Sequence, residues 1–382
     1  MEPFDLVSLA SRRDPEAQRL LEEGVSKADA ATLSAALAES ATHRCTATLA
    51  DAIRHSPSDA HNRAAAMELF YMLHTRHLQF SGEYRKLIQA MSAVADDVVV
   101  LKGALLDPLL YTTGRPRLYI DLDVLVRGDE GQKAVSNVLA SHDYVQAELD
   151  MEAWTLTPFN ATRSAGYSEE LQHVPEFSRL DDATGNAYRV DVHHRLSTVF
   201  DHIEIAVDKL ATFVYETASG PIRGLAPDDM FAHLAYHAWW DTQSIANVLK
   251  GRDLRLYQFT DMHLMLTQGL VTPTSVIERS GQIGAEDVVN WALAVVGHLW
   301  APEVLVSGAV DEPAAVEFDA RVSDRWVQRS TAEPIAHWDQ PAWERVRDAN
   351  RGDKIARSVF NDYIDRHTKQ GHVLTWDRVD GA

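Results

Sequence analysis

The spacing of hydrophobic residues divides the chain into regions of different periodicity. Up to about residue 95, hydrophobic residues recur every three to four positions, which predicts helices. The clearest rhythm covers 64–94, with an interruption predicted at Ser81-Gly82. A helical rhythm returns from about residue 201, and the predicted helices there are 201–216, 227–249, 253–267, 273–282, 285–303, 312–329 and 342–366.

Between these helical regions, hydrophobic residues form short runs typical of strands. β-branched residues at 98–101 predict a buried strand, and a helix follows from Lys102-Gly103 until Thr112, Thr113, Gly114 and Pro116 stop it. Further strands are predicted at 118–126, 173–180 and 186–194, a helix at 131–141, a hairpin turn at 181–185 and a less regular segment at 150–169.

This order of elements predicts an α+β fold, in which a small mixed sheet lies between helical N-terminal and C-terminal regions. We expect three parts: a helical region at 1–95, an α/β core at 96–200 and a helical domain at 201–382. No internal repeat or low-complexity tract accompanies them.

The net charge of the chain limits the kinds of molecule that it is expected to bind. It has 36 Lys and Arg against 56 Asp and Glu, a net charge of −20, which disfavours binding to long nucleic acids or anionic membranes. The single cysteine, Cys45, excludes an intramolecular disulfide and a Cys-rich zinc site. The first residues do not have the pattern of a signal peptide, and no hydrophobic run approaches the ~18 residues of a membrane span. We therefore expect a cytoplasmic protein with no membrane partner.

Two aspartates interrupt the predicted strand at 118–126. Asp121 and Asp123 are two positions apart, so their side chains point to the same face. Paired carboxylates need a compensating cation or a solvated strand end, and Mg²⁺ is a suitable cation because it prefers oxygen ligands. Asp-x-Asp alone leaves the metal site and the solvated strand end both open.

Nearby residues favour the metal site. A third acid, Asp191, lies in another hydrophobic strand run, and Lys102-Gly103 lies where a strand passes into a helix, whose first N–H groups attract anions. Arg115 and Arg117 lie between the glycine and the first aspartate. These are the groups that phosphoryl or nucleotidyl transfer requires: carboxylates for metals, a place for phosphates and cations for developing charge.

In this order, the motifs resemble the DNA polymerase β-like nucleotidyltransferase superfamily and, within it, the bacterial "uncharacterised nucleotidyltransferase" family. The resemblance covers about 60–270 and rests on Leu101-Lys102-Gly103, on Arg117 followed by Asp121-Leu122-Asp123, on Val190-Asp191-Val192-His193, on 225–237 and on Asp261.

The resemblance implies a two-metal site with Asp121, Asp123 and Asp191 as catalytic metal ligands, Mg²⁺ or Mn²⁺ as the metal, and a nucleoside triphosphate (NTP) as co-substrate. Asp191 would also help to activate the acceptor hydroxyl. Gly103 would cradle the triphosphate, and Lys102 would supply a further phosphate contact. Arg117 would either hold a phosphate or form a salt bridge with the aspartates, two roles that the sequence leaves open. The superfamily usually has serine after this glycine, whereas this chain has Ala104.

Other polar residues near the motifs have more than one interpretation. His233 and His237 are four apart on a predicted helix, and we interpret them as packing residues, since the metalloprotease motif HExxH is absent. Lys250, Arg252 and Arg255 are interpreted as a solvated basic face, with a triphosphate contact as the alternative. His173, His193 and His194 flank the predicted site, and we interpret them as core or supporting residues.

The sequence therefore predicts a metal-dependent nucleotidyltransferase that moves a nucleoside monophosphate from an NTP to an acceptor hydroxyl. The acceptor is unidentified, a peptide or small natural product being one class that the family resemblance suggests. Two alternatives stay open: a metal-dependent glycosyltransferase that holds a nucleotide-sugar through Asp-x-Asp, and an inactive nucleotide-binding homologue. An Asp191 that lies more than about 8 Å from the other acids would favour the glycosyltransferase, given the spacing of two-metal sites.

Overall fold

We describe the fold from a computed structural model of the protein. The residues described are 1–57, 60–95, 97–111, 115–159, 173–197, 203–218, 220–243, 247–248, 250–322, 336–348 and 351–354.

Five helices form the N-terminal region, as the hydrophobic rhythm predicts. Asp14 and Asp29 accept hydrogen bonds from backbone N–H groups at the starts of the second and third helices, which fixes where these helices begin. The predicted break at Ser81-Gly82 is wrong, because Gly82 lies inside one continuous helix with no heavy atom near the position of its missing Cβ. The helices are α1 Pro3–Arg12, α2 Pro15–Lys27, α3 Ala30–Thr42, α4 Thr46–His55 and α5 Ala60–Ser92.

A mixed sheet of eight strands lies at the centre, in the order β4-β3-β5-β6-β2-β1-β8-β7. Val98 to Val100 and Leu122 to Val126 are buried, which explains why these runs are almost continuously hydrophobic. β2 pairs in parallel with β6, and β1 pairs in parallel with β8. The strands are β1 Val98–Val100, β2 Asp121–Val126, β3 Val145–Asp150, β4 Thr155–Pro158, β5 Phe177–Asp181, β6 Asn186–His193, β7 Thr212–Thr217 and β8 Gly220–Leu225.

Within the described ranges, two helices connect strands of this sheet. α6, Lys102–Leu110, follows β1 and ends before 112–114, so the stop predicted at Thr112, Thr113 and Gly114 lies outside the described residues. α7, Asp129–Ser141, confirms the helix predicted at 131–141.

The last two strands of this sheet correct the sequence interpretation. A helix was predicted at 201–216, but a 3₁₀ turn occupies Val207–Lys209, and β7 and β8 form an antiparallel hairpin. The reason is a period of two: Tyr215 is buried, whereas its neighbour Val214 is exposed. The less regular segment predicted at 150–169 contains the last residue of β3 and all of β4, Thr155–Pro158, and 160–172 lies outside the described residues.

The C-terminal helices pack against each other and against α1. Capping residues explain where one of these helices, α10 (Pro273–Ile283), begins and ends. The Thr272 side chain caps its start through a hydrogen bond, and Gly284, whose backbone is left-handed, follows its last residue. These helices are α8 Pro227–Thr242, α9 Leu256–Thr267, α10 Pro273–Ile283, α11 Glu286–Leu299, α12 Pro302–Leu305, α13 Glu312–Asp319 and α14 Ala342–Arg345.

A short strand pair, β9 Arg321–Val322 with β10 Ala336–His337, and a 3₁₀ turn at Arg351–Lys354 complete the described part. The ends of the helices predicted at 312–329 and 342–366 lie outside it.

The observed sheet with flanking helices confirms the predicted α+β class. Because β7 and β8 join the sheet, its strands continue past residue 200, where we had placed the end of the core. The three-part division itself stays a prediction. Within the described part of the chain, no helix is both long and apolar enough to cross a bilayer.

Candidate active site

The parallel register of β2 and β6 aligns the three predicted acids. Asp123 is paired with Asp191, and Asp121 is paired with Arg189. Paired residues on neighbouring strands point to the same face, so these four side chains form two adjacent rows on one face of the sheet. The hydroxyl of Tyr84 on α5 fixes this register, because it donates to the Ile120 carbonyl at 2.9 Å and accepts from the Arg189 N–H at 3.2 Å.

Asp123 is the most strongly held of the acids. It is 5 % exposed, and its Oδ1 lies 2.7 Å from Lys102 Nζ and 3.0 Å from His193 Nε2. Burial opposes ionisation, but the charge of Lys102 and the hydrogen bond from His193 hold the pKa of Asp123 well below its usual range. Burial lowers the pKa of His193, so the neutral ring donates its Nε2–H to the Asp123 carboxylate.

Lys102 reaches Asp123 from an unusual backbone conformation. Its φ is +46°, the left-handed region that non-glycine residues rarely adopt. It follows β1 directly and opens α6, so this turn aims the ammonium group back at β2 while the first N–H groups of α6 stay free of helical partners.

Asp121 has a different partner. Its Oδ2 lies 3.6 Å from Arg189 Nη2, and Arg189 Nη1 lies 3.3 Å from Glu176 Oε2. The partial burial of Asp121 and the charge of Asp123 raise the pKa of Asp121. Burial and the charge of Asp191 raise the pKa of Glu176 to about 7. A fourth carboxylate therefore lies beside the three that the sequence predicts.

Gly103 is needed for close approach at the start of α6. A Cβ at this position would lie 2.5 Å from Arg117 Nη1 and 2.6 Å from the Cβ of Tyr119, closer than packed atoms come. Arg117 itself is buried, and its Nε and Nη2 bind the Asp261 carboxylate at 2.7–2.9 Å. Its Nη1 is not used in that pair and points toward the start of α6.

A cavity of about 400 Å³ lies over this face of the sheet. Lys102, Gly103, Asp121 and Asp123 line one side. Residues from the helical regions line the other: Arg44, Leu234, His237, Asp241, Asn247, Arg255, Tyr257, Gln258 and Asp261. Two of the predicted acids, Asp121 and Asp123, therefore share one cavity with cations from distant parts of the chain, whereas Asp191 is not among the residues that line it.

The structure distinguishes between the other histidines and basic residues. Both histidines lie on α8: His233 is buried in the protein core, whereas His237 lines the cavity. Burial and the charge of Lys102 lower the pKa of both imidazoles well below the usual value. Lys250 and Arg252 are exposed, in agreement with a solvated basic face. For Arg255 that interpretation is wrong, because its guanidinium lies 2.6 Å from Asp241 and lines the cavity.

Among the described residues, Asp123, Asp191 and His193 form a group whose ligand atoms all lie within 4.8 Å of one another. The Oδ1 atom of Asp191 is buried, and no described group hydrogen-bonds to it. A buried acceptor without a donor, between an ionised carboxylate and an imidazole, fits a divalent cation such as Mg²⁺ or Mn²⁺. His193 Nε2 can take part only in the tautomer that carries the proton on Nδ1.

A model of a protein family described as "uncharacterised nucleotidyltransferase" matches residues 29–301. The chain belongs to this family. The match covers β1, α6, β2 and β6 with all six predicted site residues, and it extends through α8 and α9, which form the opposite wall of the cavity. No curated protein and no solved structure shows significant similarity to the chain.

For this member of the family, sequence reasoning missed cavity and site residues that no motif marks. Glu176 precedes β5, and its nearness to Asp191 follows only from strand pairing. Arg189 gave a usable signal, since it lies two residues before Asp191 on the same strand face. Arg44 and Tyr257 gave no such signal in the sequence, because only tertiary packing brings the turn after α3 and the helix α9 to the sheet.

Proposed function

We propose that this protein is a metal-dependent nucleotidyltransferase that moves a nucleoside monophosphate from an NTP to an acceptor hydroxyl. Membership of the family supports nucleotidyl transfer. The metal dependence and the transfer to a hydroxyl are proposed from one observation: Asp191 is paired with Asp123 on adjacent parallel strands, beside the start of α6.

The same pairing favours nucleotidyl transfer over glycosyl transfer. A glycosyltransferase that holds a nucleotide-sugar through Asp-x-Asp does not need a third acid on the neighbouring strand. Here a carboxylate oxygen of Asp191 lies within 4.8 Å of one from Asp123, well inside the separation of about 8 Å that would favour a glycosyltransferase.

The start of α6 is the proposed phosphate site. Its first N–H groups and helix dipole attract an anion, and the missing side chain of Gly103 lets Arg117 Nη1 come close to the start of this helix. Lys102 and Arg117 Nη1 add N–H donors of cationic groups at the same place, although each cation is also paired with a carboxylate. Ala104 has no hydroxyl, so the serine contact usual in the superfamily is replaced by these two cations.

The acids are proposed to act on the other side of the reacting phosphate. The acceptor oxygen forms a bond to the α-phosphorus while the bond to the β-bridging oxygen breaks, and pyrophosphate leaves. The Oδ1 atom of Asp191, which has no hydrogen-bond donor among the described residues, would hold the cation, and the other oxygen of this carboxylate accepts the hydroxyl proton. Asp123, Asp191 and His193, with Asp121 nearby, would hold a divalent cation, which supplies positive charge to the phosphate oxygens and acidifies the hydroxyl.

The proposal is tested by incubating the purified protein with each of the four NTPs, labelled at the α-phosphate, with Mg²⁺ or Mn²⁺ and a lysate fraction as the source of acceptor. We expect labelled product only with metal, and a loss of about 100-fold or more in Asp123→Asn and Asp191→Asn, because both lose a ligand charge. Asp208→Asn is the matched control, since Asp208 is exposed on the 3₁₀ turn.

Full transfer by the Asp123→Asn, Asp191→Asn double variant would refute the proposal. Metal-dependent NTP binding without transfer to any fraction would favour the inactive homologue instead. Transfer of a sugar from a labelled nucleotide-sugar would favour the glycosyltransferase.

A further inference from the structure

Three guanidinium groups surround one aromatic ring on the helical side of the cavity. The central guanidinium carbons of Arg44, Arg255 and Arg117 lie 4.8, 5.2 and 5.5 Å from the centroid of the Tyr257 ring. An electron-rich ring attracts each cation at these distances, but three positive charges around it repel each other. Such a cluster is stable only where anions lie nearby.

Carboxylates neutralise two of the three. Arg117 binds Asp261, and Arg255 binds Asp241, which also accepts hydrogen bonds from Gln258 and Asn247. Among the described residues, no carboxylate lies within ion-pair distance of Arg44. Two other cations that line the cavity do have carboxylate partners: Lys102 is paired with Asp123, and Arg189 is paired with Asp121 and Glu176.

The fold holds Arg44 firmly in place. It lies in the turn between α3 and α4, with a left-handed φ of +54°. The preceding residue, His43, is buried, and its Nδ1 accepts a hydrogen bond from the Leu256 N–H at the start of α9. This bond joins the turn to the helix that carries Tyr257, so Arg44 is preorganised against the ring rather than extended into solvent.

We infer that Arg44 binds the terminal phosphates of the NTP, the two that leave as pyrophosphate. This inference rests on the proposed function. A guanidinium pairs with phosphate through two parallel hydrogen bonds, and here its charge lacks a carboxylate partner. Arg117 Nη1 lies beside Gly103 at the start of α6, and the guanidinium groups of Arg117 and Arg44 lie against the same Tyr257 ring. A polyphosphate that starts at α6 therefore extends toward Arg44.

The acids of the site and Arg44 lie on opposite walls of the cavity. Asp121 and Asp123 line the wall formed by the sheet, and Arg44 lines the wall formed by the helical regions. The reacting phosphate lies between the two walls, with its attacking side toward the acids and its leaving side toward Arg44.

Calorimetry with Mg²⁺ and two probes tests the inference: inorganic pyrophosphate and an NTP analogue whose α,β-bridge resists cleavage. In Arg44→Asn, asparagine tolerates the left-handed backbone and removes the charge. We expect the affinity for both probes to fall about 10- to 100-fold, as for a lost charged hydrogen-bond pair, and the affinity for the nucleoside monophosphate to change less than about threefold. Arg63→Ala, at an exposed position on α5, controls for net charge.

Unchanged affinity for both probes in Arg44→Asn would overturn the inference, and so would an equal loss of affinity for the nucleoside monophosphate. Failure of the proposed function is a separate result. Wild-type protein that binds pyrophosphate through Arg44 but catalyses no nucleotidyl transfer would keep this anion site and refute the activity. Thermal unfolding of the variant shows whether it is folded.

Discussion

Lys102 Nζ lies 2.7 Å from Asp123 Oδ1, and this pair joins the two parts of the site. The lysine opens the helix that we propose to hold the phosphates, and the aspartate belongs to the group of potential metal ligands. Both side chains are largely buried, with 13 % and 6 % of their surface exposed. The ammonium group therefore compensates the carboxylate when no other cation is present.

Removing this ammonium group should make the protein more dependent on a divalent cation. In Lys102→Met, the buried Asp123 keeps only His193, and we expect the free energy of unfolding in EDTA to fall by about 3–5 kcal/mol. Thermal unfolding should show a larger stabilisation by Mg²⁺ or Mn²⁺ in the variant than in the wild type, because the metal replaces the lost charge. Equal stabilisation of the two proteins by metal would contradict this explanation.

Gly103 and Gly82 make a matched pair of glycine substitutions. In Gly103→Ala the new Cβ collides with Arg117 and Tyr119, and we expect a loss of about 1–3 kcal/mol in unfolding free energy. Gly82→Ala places a methyl group in open space within α5 and should stabilise by about 0.5–1 kcal/mol. Urea unfolding measures both. A Gly103→Ala protein as stable as the wild type would show that the start of α6 can move away from Tyr119.

The contrast between these glycines illustrates what the sequence could predict. Strand and helix periods located β1, α6, β2 and β6, and the Asp-x-Asp spacing placed Asp121 and Asp123 on one face, since these properties depend on neighbouring residues only. They could not reveal that Gly82 lies in an unbroken helix, because a helix tolerates an isolated glycine when packing compensates for it.

The rest of the site depends on contacts between distant segments. Glu176 reaches Asp191 through strand pairing, and Tyr84 hydrogen-bonds to β2 and β6 from a helix more than 30 residues earlier. β7 was predicted as part of a helix because its pattern covers only six residues: Tyr215 is buried between the exposed Val214 and Glu216, and so short a pattern does not distinguish a strand from an amphipathic helix.

The turn that holds Arg44 should make stability depend on pH. Burial and the nearby charges of Arg351 and Arg255 lower the pKa of His43 to about 3, against 6.5 for an ordinary histidine. Between these values the unfolded chain binds one proton more than the folded chain, so the free energy of unfolding rises with pH by up to about 1.4 kcal/mol per unit. The contribution is fully lost below pH 3 and complete above pH 6.5.

His43→Asn should therefore flatten this dependence, because asparagine can accept the Leu256 N–H but does not titrate. Urea unfolding between pH 4 and 6 measures the slope. His55→Asn is the control, since the His55 side chain is 64 % exposed, and it should keep the wild-type slope. The same slope in all three proteins would contradict the proposed cause.

We propose that Asp123, Asp191 and His193 hold a divalent cation that the nucleotide needs for binding. Calorimetric titration of the protein with a non-cleavable NTP analogue in EDTA, in Mg²⁺ and in Mn²⁺, repeated with Asp191→Asn, measures this directly. We expect binding that requires metal in the wild type and a loss of at least about tenfold in affinity in the variant. Equal affinity with and without metal, or wild-type affinity in Asp191→Asn, would contradict it.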